Sequence, residues 1–237
     1  MKVEGVPMRT FLIAAFSTLA LATPAGAATR NFGITSFTKI RVEGPYRVNL
    51  ATGIAPFAKA SGSPAALDRV SVEMRGDTLV VQSASAWGGD SGGNSGPVEI
   101  SLGTHDLTSA SLTGAGALTI DRVKGLAFTF SVQGSGVGEI DDVAIDQLNV
   151  TLLGTVKATL TGHAGKVEAL VRGIAALDAA KLVTRNAALA VDGAATVDAN
   201  VTDTAKVDAW GPATIRFTGR PSCASKVTGS ASITGCK

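Results

Sequence analysis

Few residues in this 237-residue chain are of types that do chemistry: two histidines, two cysteines, and carboxylates spread along the sequence. Nucleophilic or acid–base catalysis needs a nucleophile, a base and an orienting group brought together. His105 stands in Gly103-Thr104-His105-Asp106 and His163 in Thr161-Gly162-His163-Ala164-Gly165. Both contexts read as surface turns, so no catalytic residue is assigned and no enzyme activity is expected. Cys223 and Cys236 lie near the C-terminus with no histidine or further cysteine beside them, which disfavours a metal site. They are expected to form one disulfide, worth about 3 kcal/mol in the chain-entropy account of a loop this size.

The carboxylates that invite a sharper reading are Asp178 and Asp198, followed at a similar interval by Arg216. Two carboxylates side by side want a cation or a basic neighbour. Calcium needs about six oxygens, and a glycosidase pair needs carboxyl groups about 5–9 Å apart beside a sugar cleft. A charge ladder Asp-Asp-Arg meets the same need with no metal, so no metal or cofactor is expected. Asp90, in Gly88-Gly89-Asp90-Ser91-Gly92-Gly93, sits in a run that occurs once and lacks the nonapeptide period of calcium-binding repeats. Residues 83–97 are therefore read as a Gly/Ser-rich surface loop that carries Trp87. Trp210, beside Gly211-Pro212, completes the candidate contact residues Trp210, Asp178, Asp198, Arg216 and Trp87.

These residues take their positions from a repeat. Gly114, Gly134, Gly154, Gly173, Gly193, Gly211 and Gly229 recur at gaps of 20, 20, 19, 20, 18 and 18 residues, a period that marks a solenoid. Two positions before each glycine stands Leu112, Val132, Leu152, Val171, Val191, Ala209 or Val227, all apolar. Four positions after it, the residue is again apolar or small, from Leu118 and Gly138 to Ile233. Five positions after come Thr119, Glu139, Thr159, Asp178, Asp198, Arg216 and Thr234. Such alternation means strands with one buried face. Each glycine marks a corner, where a missing side chain lets the backbone bend or approach the next coil. The spacing predicts an all-β fold, a single-stranded parallel β-helix (β-solenoid) with rungs of about 18–20 residues. Stacking at the roughly 4.8 Å strand spacing would set Asp178, Asp198 and Arg216 in one outward column, and Thr196, Thr214 and Ser232 in another.

Residues 1–27 read as a secretory signal peptide: Lys2 and Arg9 are basic, Phe11 to Ala22 is apolar, and Ala25-Gly26-Ala27 offers a cleavage site. Residues 28–237 form the solenoid domain, with 221–237 expected as its disulfide-capped last rung. No later segment is apolar enough to span a membrane. Losing Lys2, Arg9 and Glu4 with the leader leaves 19 basic against 18 acidic residues, a balance that argues against nucleic-acid partners. Phe37 to Leu50, Val70 to Met74 and Asp77 to Gln82 alternate like strands and are expected to start the coil, with a turn at Arg75-Gly76-Asp77.

The stretch Phe37-Thr38-Lys39-Ile40-Arg41-Val42-Glu43-Gly44-Pro45-Tyr46-Arg47-Val48-Asn49-Leu50, followed by Gly76-Asp77-Thr78-Leu79-Val80-Val81, resembles the head GIN domain family of exported bacterial proteins, described as putative auto-transporter adhesins. The resemblance covers residues 32–236 and implies a β-helix-like fold with no catalytic motif to carry over. Together these readings point to a non-enzymatic exported module of the periplasm, cell envelope or extracellular space, for adhesion or contact with a protein or glycan. Two other readings stay open at this point. One is a carbohydrate-active β-helix enzyme, by analogy of fold; the other is a homo-oligomeric scaffold formed through uncapped ends or strand edges.

Overall fold

The structure, a computed structural model, describes residues 28–84 and 97–237. The signal-peptide segment, Trp87, Asp90 and most of the Gly/Ser-rich run lie outside the described residues. The chain opens with β1 (Ala28–Phe32), β2 (Lys39–Glu43), β3 (Arg47–Thr52) and β4 (Phe57–Gly62), then makes one helical turn, α1 (Pro64–Leu67). β5 (Val70–Arg75) and β6 (Thr78–Ser83) precede the Gly/Ser-rich run, and β7 (Glu99–Thr104) and β8 (Ser109–Gly114) follow it. Five long strands that wrap the coil come next: β9 (Ala117–Gly134), β10 (Val137–Gly154), β11 (Lys157–Gly173), β12 (Ala176–Asp192) and β13 (Thr196–Trp210). β14 (Thr214–Phe217), β15 (Ser222–Thr228) and β16 (Ser232–Thr234) complete it.

From β9 to β13 each strand pairs in parallel with the strand one rung away. Gly134 stands on Gly114, Gly154 on Gly134, and Gly173 on Gly154. Two constraints demand glycine there. Gly154 and Gly173 have φ of +110° and +105°, values that L side chains avoid. A Cβ on Gly154 would lie 2.4 Å from the carbonyl oxygen of Gly134, and one on Gly173 2.6 Å from that of Gly154. The corner is thus a column of backbones in close contact.

The inward columns form the core. Leu112, Val132, Leu152, Val171, Val191 and Ala209 are all fully buried, as are Leu118, Ala158, Val197 and Ile215. Each Val or Leu side chain buried this way contributes about 1.5–3 kcal/mol, and neighbouring rungs adjust in size to fill the interior. Phe130 of β9 lies against Gly138 of β10, where a Cβ would come 2.4 Å from the ring.

The two ends differ from the middle. Strands β2 and β3 do start the coil, pairing in parallel with β6 and β8 and with β7 and β9. Two strands run against that direction: β5 folds back on β6, and β4 lies antiparallel to β7 and to β1, which itself runs with the coil. The β5–β6 turn has Gly76 at φ +65° as the first of two loop residues, the geometry of a type II′ hairpin. In β15 Val227 is 43% exposed although its column is otherwise buried. Ser225 falls in the column that runs Ala110, Phe130, Val150, Ala169, Leu189 and Val207, a polar residue where the core ends. Cys223 and Cys236 are joined, with Cα atoms 5.7 Å apart. The Lys237 amide donates to the Pro221 carbonyl at 3.1 Å, tying the terminus back to β15. Among the described residues no helix is long and apolar enough to cross a membrane.

Candidate functional site

Each rung has two outer sides that meet at the glycine corner, and a third paired segment, Asp142–Ile145 on β10, joins their far ends. On β10 the first is Val137–Ile140 and the second runs from Gln147 to Leu153; in β9 and β10 both are continuous in register. Side chains alternate strictly on both, so every second residue meets solvent.

The first side carries the carboxylate column. Asp178 pairs with Asp198, and Asp198 with Arg216. The Arg216 guanidinium donates to both oxygens of Asp198, from Nε at 2.5 Å and from a terminal nitrogen at 2.7 Å. That carboxylate, by hydrogen bonding first and charge second, raises the pKa of Arg216 further above its ordinary value. Asp178 accepts from the backbone amide of Ala180 at 3.3 Å. Of the two carboxylates in the column, Asp198 is thus answered by Arg216, while Asp178 is met by a backbone amide. Among the described residues no group of three or more His, Cys, Asp or Glu could hold a metal ion. Thr196, Thr214 and Ser232 line up beside this column.

Trp210 is not part of that surface. It belongs to the second side, where it pairs with Asp192 and Thr228 and is 41% exposed. The structure thus brings Asp178, Asp198 and Arg216 together and sets Trp210 apart from them across the glycine corner. His105 and His163 are exposed and belong to neither group.

The second side holds a groove of about 350 Å³ that spans β10 to β13. It is built on two adjacent outward columns. One runs Asn149, Glu168, Ala188, Lys206, and the other Thr151, Leu170, Ala190, Asp208. The low line is β12, where the two alanines leave methyl groups between the longer side chains of β11 and β13. Its walls are chemically mixed. Glu168 is paired with Lys166 at 2.5 Å, and further along the corner side Arg172 pairs with Asp192 at 3.2 Å. Lys206 and Asp208 carry no ion pair among the described residues. Trp210 follows Asp208 by two residues on β13, so it points outward and prolongs that wall toward the corner. Beneath, Ala169 and Leu189 also reach the groove while belonging to the core.

This arrangement can hold a ligand by shape, by contact with methyl groups and by side-chain hydrogen bonds. Its backbone amides and carbonyls are used in the parallel ladders on both sides of β12. The groove residues escape a reading that follows one column at a time. The signal is two-dimensional: Ala188 and Ala190 are small outward residues whose partners one rung before and after are long.

The sequence signature described as putative auto-transporter adhesin, head GIN domain, matches residues 36–221. Among solved structures, a putative adhesin from Bacteroides fragilis is similar at 18% identity and a TM-score of 0.81, with 89% of this chain and 97% of that one covered. A putative lipid binding protein from Parabacteroides distasonis, also at 18% identity, has a TM-score of 0.71 over 87% of this chain and 95% of its own. A putative adhesin from Parabacteroides merdae, at 15% identity, has a TM-score of 0.64 over the same shares. At such identities the likeness is one of fold. No curated protein matches the chain.

Proposed function

Because the chain belongs to the family of putative auto-transporter adhesins with a head GIN domain, we propose that it is an exported, non-enzymatic contact module that holds a protein or glycan against the second side of its solenoid. The observation that carries this reading is the groove across β10–β13, with the exposed Trp210 two residues beyond its lining residue Asp208 on β13. A mixed apolar and polar depression beside an exposed tryptophan has the make-up of a recognition surface, where aromatic anchors contribute most of the binding energy. On the first side the Arg216 guanidinium is taken up by Asp198. Export is supported by the leader-like residues 1–27 and by the Cys223–Cys236 disulfide, which persists in the periplasm or outside the cell. The rigid stack suits the role, because a preformed surface loses little entropy on binding.

Binding of the labelled protein to bacterial envelopes and to immobilised host glycoproteins tests the assignment of sides. Ala190→Arg, which fills the groove, is expected to abolish retention, while Thr214→Arg on the first side leaves it intact. The reverse pattern would move the contact surface to the first side.

A further inference from the structure

We infer that the groove takes a short stretch of neutral glycan chain, an assignment that rests on the second side being the contact surface and goes on to name its occupant. Three features of the site lead there. The first is charge. Glu168 is neutralised by Lys166 at 2.5 Å, and the unpaired Lys206 and Asp208 stand two residues apart on one wall with opposite signs. The groove as a whole presents no net field, so neither a polyanion nor a polycation gains from it.

The second feature is the state of the backbone. Ala188 and Ala190 are bonded into ladders with β11 on one side and β13 on the other. An added polypeptide strand gets its affinity from main-chain hydrogen bonds at a free sheet edge, and no edge exists here. Laid across methyl groups, such a strand would leave its own amides and carbonyls unpaired, at a cost of about 1–3 kcal/mol each.

The third is the pairing of surface types. A pyranose ring has an apolar C–H face and a rim of hydroxyls that both donate and accept. The methyls of Ala188 and Ala190 with Leu170 match the first. The ammonium of Lys206 and the carboxylate of Asp208 match the second as a pure donor and a pure acceptor. Trp210 adds a flat ring on which a further sugar unit stacks by its apolar face. At 350 Å³ the groove lies at the small end of ligand sites, which span about 300–1,000 Å³, so it holds a short length of chain.

The test is a titration of the exported protein with neutral hexasaccharides of glucose, mannose and N-acetylglucosamine, with heparin and polygalacturonate as acidic probes. At least one neutral chain should bind, with affinity that changes by less than about twofold across a tenfold range of salt. Ala190→Arg should weaken it at least about tenfold and Trp210→Ala about tenfold, with recovery in Trp210→Phe. Thr214→Arg should have no effect. Failure of every neutral chain to bind, binding by the acidic chains alone, or indifference to Ala190→Arg would overturn the inference. If Ala190→Arg abolishes envelope binding while no glycan binds, the contact surface stands and its glycan occupant falls. If sugar binding instead follows Thr214→Arg, both fall.

Discussion

Replacing Gly173 by alanine puts a methyl group into the tightest part of the coil, and the cost can be worked from two separate sources. The residue sits at φ +105°, and holding an L-amino acid in so sparsely populated a conformation costs about 1–3 kcal/mol. The new Cβ would also lie 2.6 Å from the carbonyl oxygen of Gly154. That oxygen belongs to the backbone of the neighbouring rung and cannot rotate away, so two rungs must part, at a further cost of about 1–3 kcal/mol. The sum is about 4 kcal/mol. Two controls separate the sources. Gly125 has φ +139° but nothing within 4 Å of a built Cβ, and Gly33 has neither constraint. Gly125→Ala should therefore lose only the conformational part, and Gly33→Ala should stay within about 0.5 kcal/mol of wild type. Urea unfolding followed by circular dichroism reads these differences. With a slope of about 2–3 kcal/mol per molar, Gly173→Ala should lower the midpoint by about 1.5 M. A loss below 1 kcal/mol, or a larger loss for Gly125→Ala than for Gly173→Ala, would refute the account of the glycine column as a close backbone contact.

Reducing the Cys223–Cys236 bridge should destabilise the last rung by up to about 3 kcal/mol, seen as faster hydrogen exchange across Ser222–Thr234 with the middle rungs unchanged; uniform loss, or none, would count against its role as an end cap. A second expectation concerns acid. The Asp77 carboxyl is held below its ordinary pKa chiefly by its hydrogen bond with Lys39, and that of Glu73 by the Ser71 hydroxyl and then Arg75. Depressed carboxylates stabilise the fold above their unfolded pKa, and that help is lost as pH falls through the lower folded value. The β5–β6 hairpin and its contact with β2 should therefore loosen below about pH 4, and Lys39→Met should lower protection at neutral pH and flatten that acid loss, as measured by amide exchange at Val70–Ser83. An unchanged pH profile would mean that the Lys39–Asp77 pair contributes nothing there.

The period of the coil, the inward and outward parity of its residues and the corner role of the glycines are all legible in the sequence. They are local rules: alternation follows from strand geometry, and a repeat that returns to the same place after each turn must stack like residue on like residue. The same rules align Asp178, Asp198 and Arg216, and the two cysteines could be joined by elimination. The N-terminal strands mark where this logic stops. Phe57 to Gly62 and Val70 to Arg75 alternate as well as any repeat strand, yet they run antiparallel to their partners. Alternation is blind to direction, and only the pairing partner decides it.

The groove shows the same division. That Trp210 points outward, and that Ala188 and Ala190 do, follows from their place relative to Gly193 and Gly211. What the tertiary structure decided is which outward residues share a surface. The coil turns at each glycine, so Trp210 and the Asp178 column part company although both face solvent. The depression at β12 exists because two alanines stand between Glu168 and Leu170 on one rung and Lys206 and Asp208 on the next, a difference in height across strands that no single stretch of chain contains.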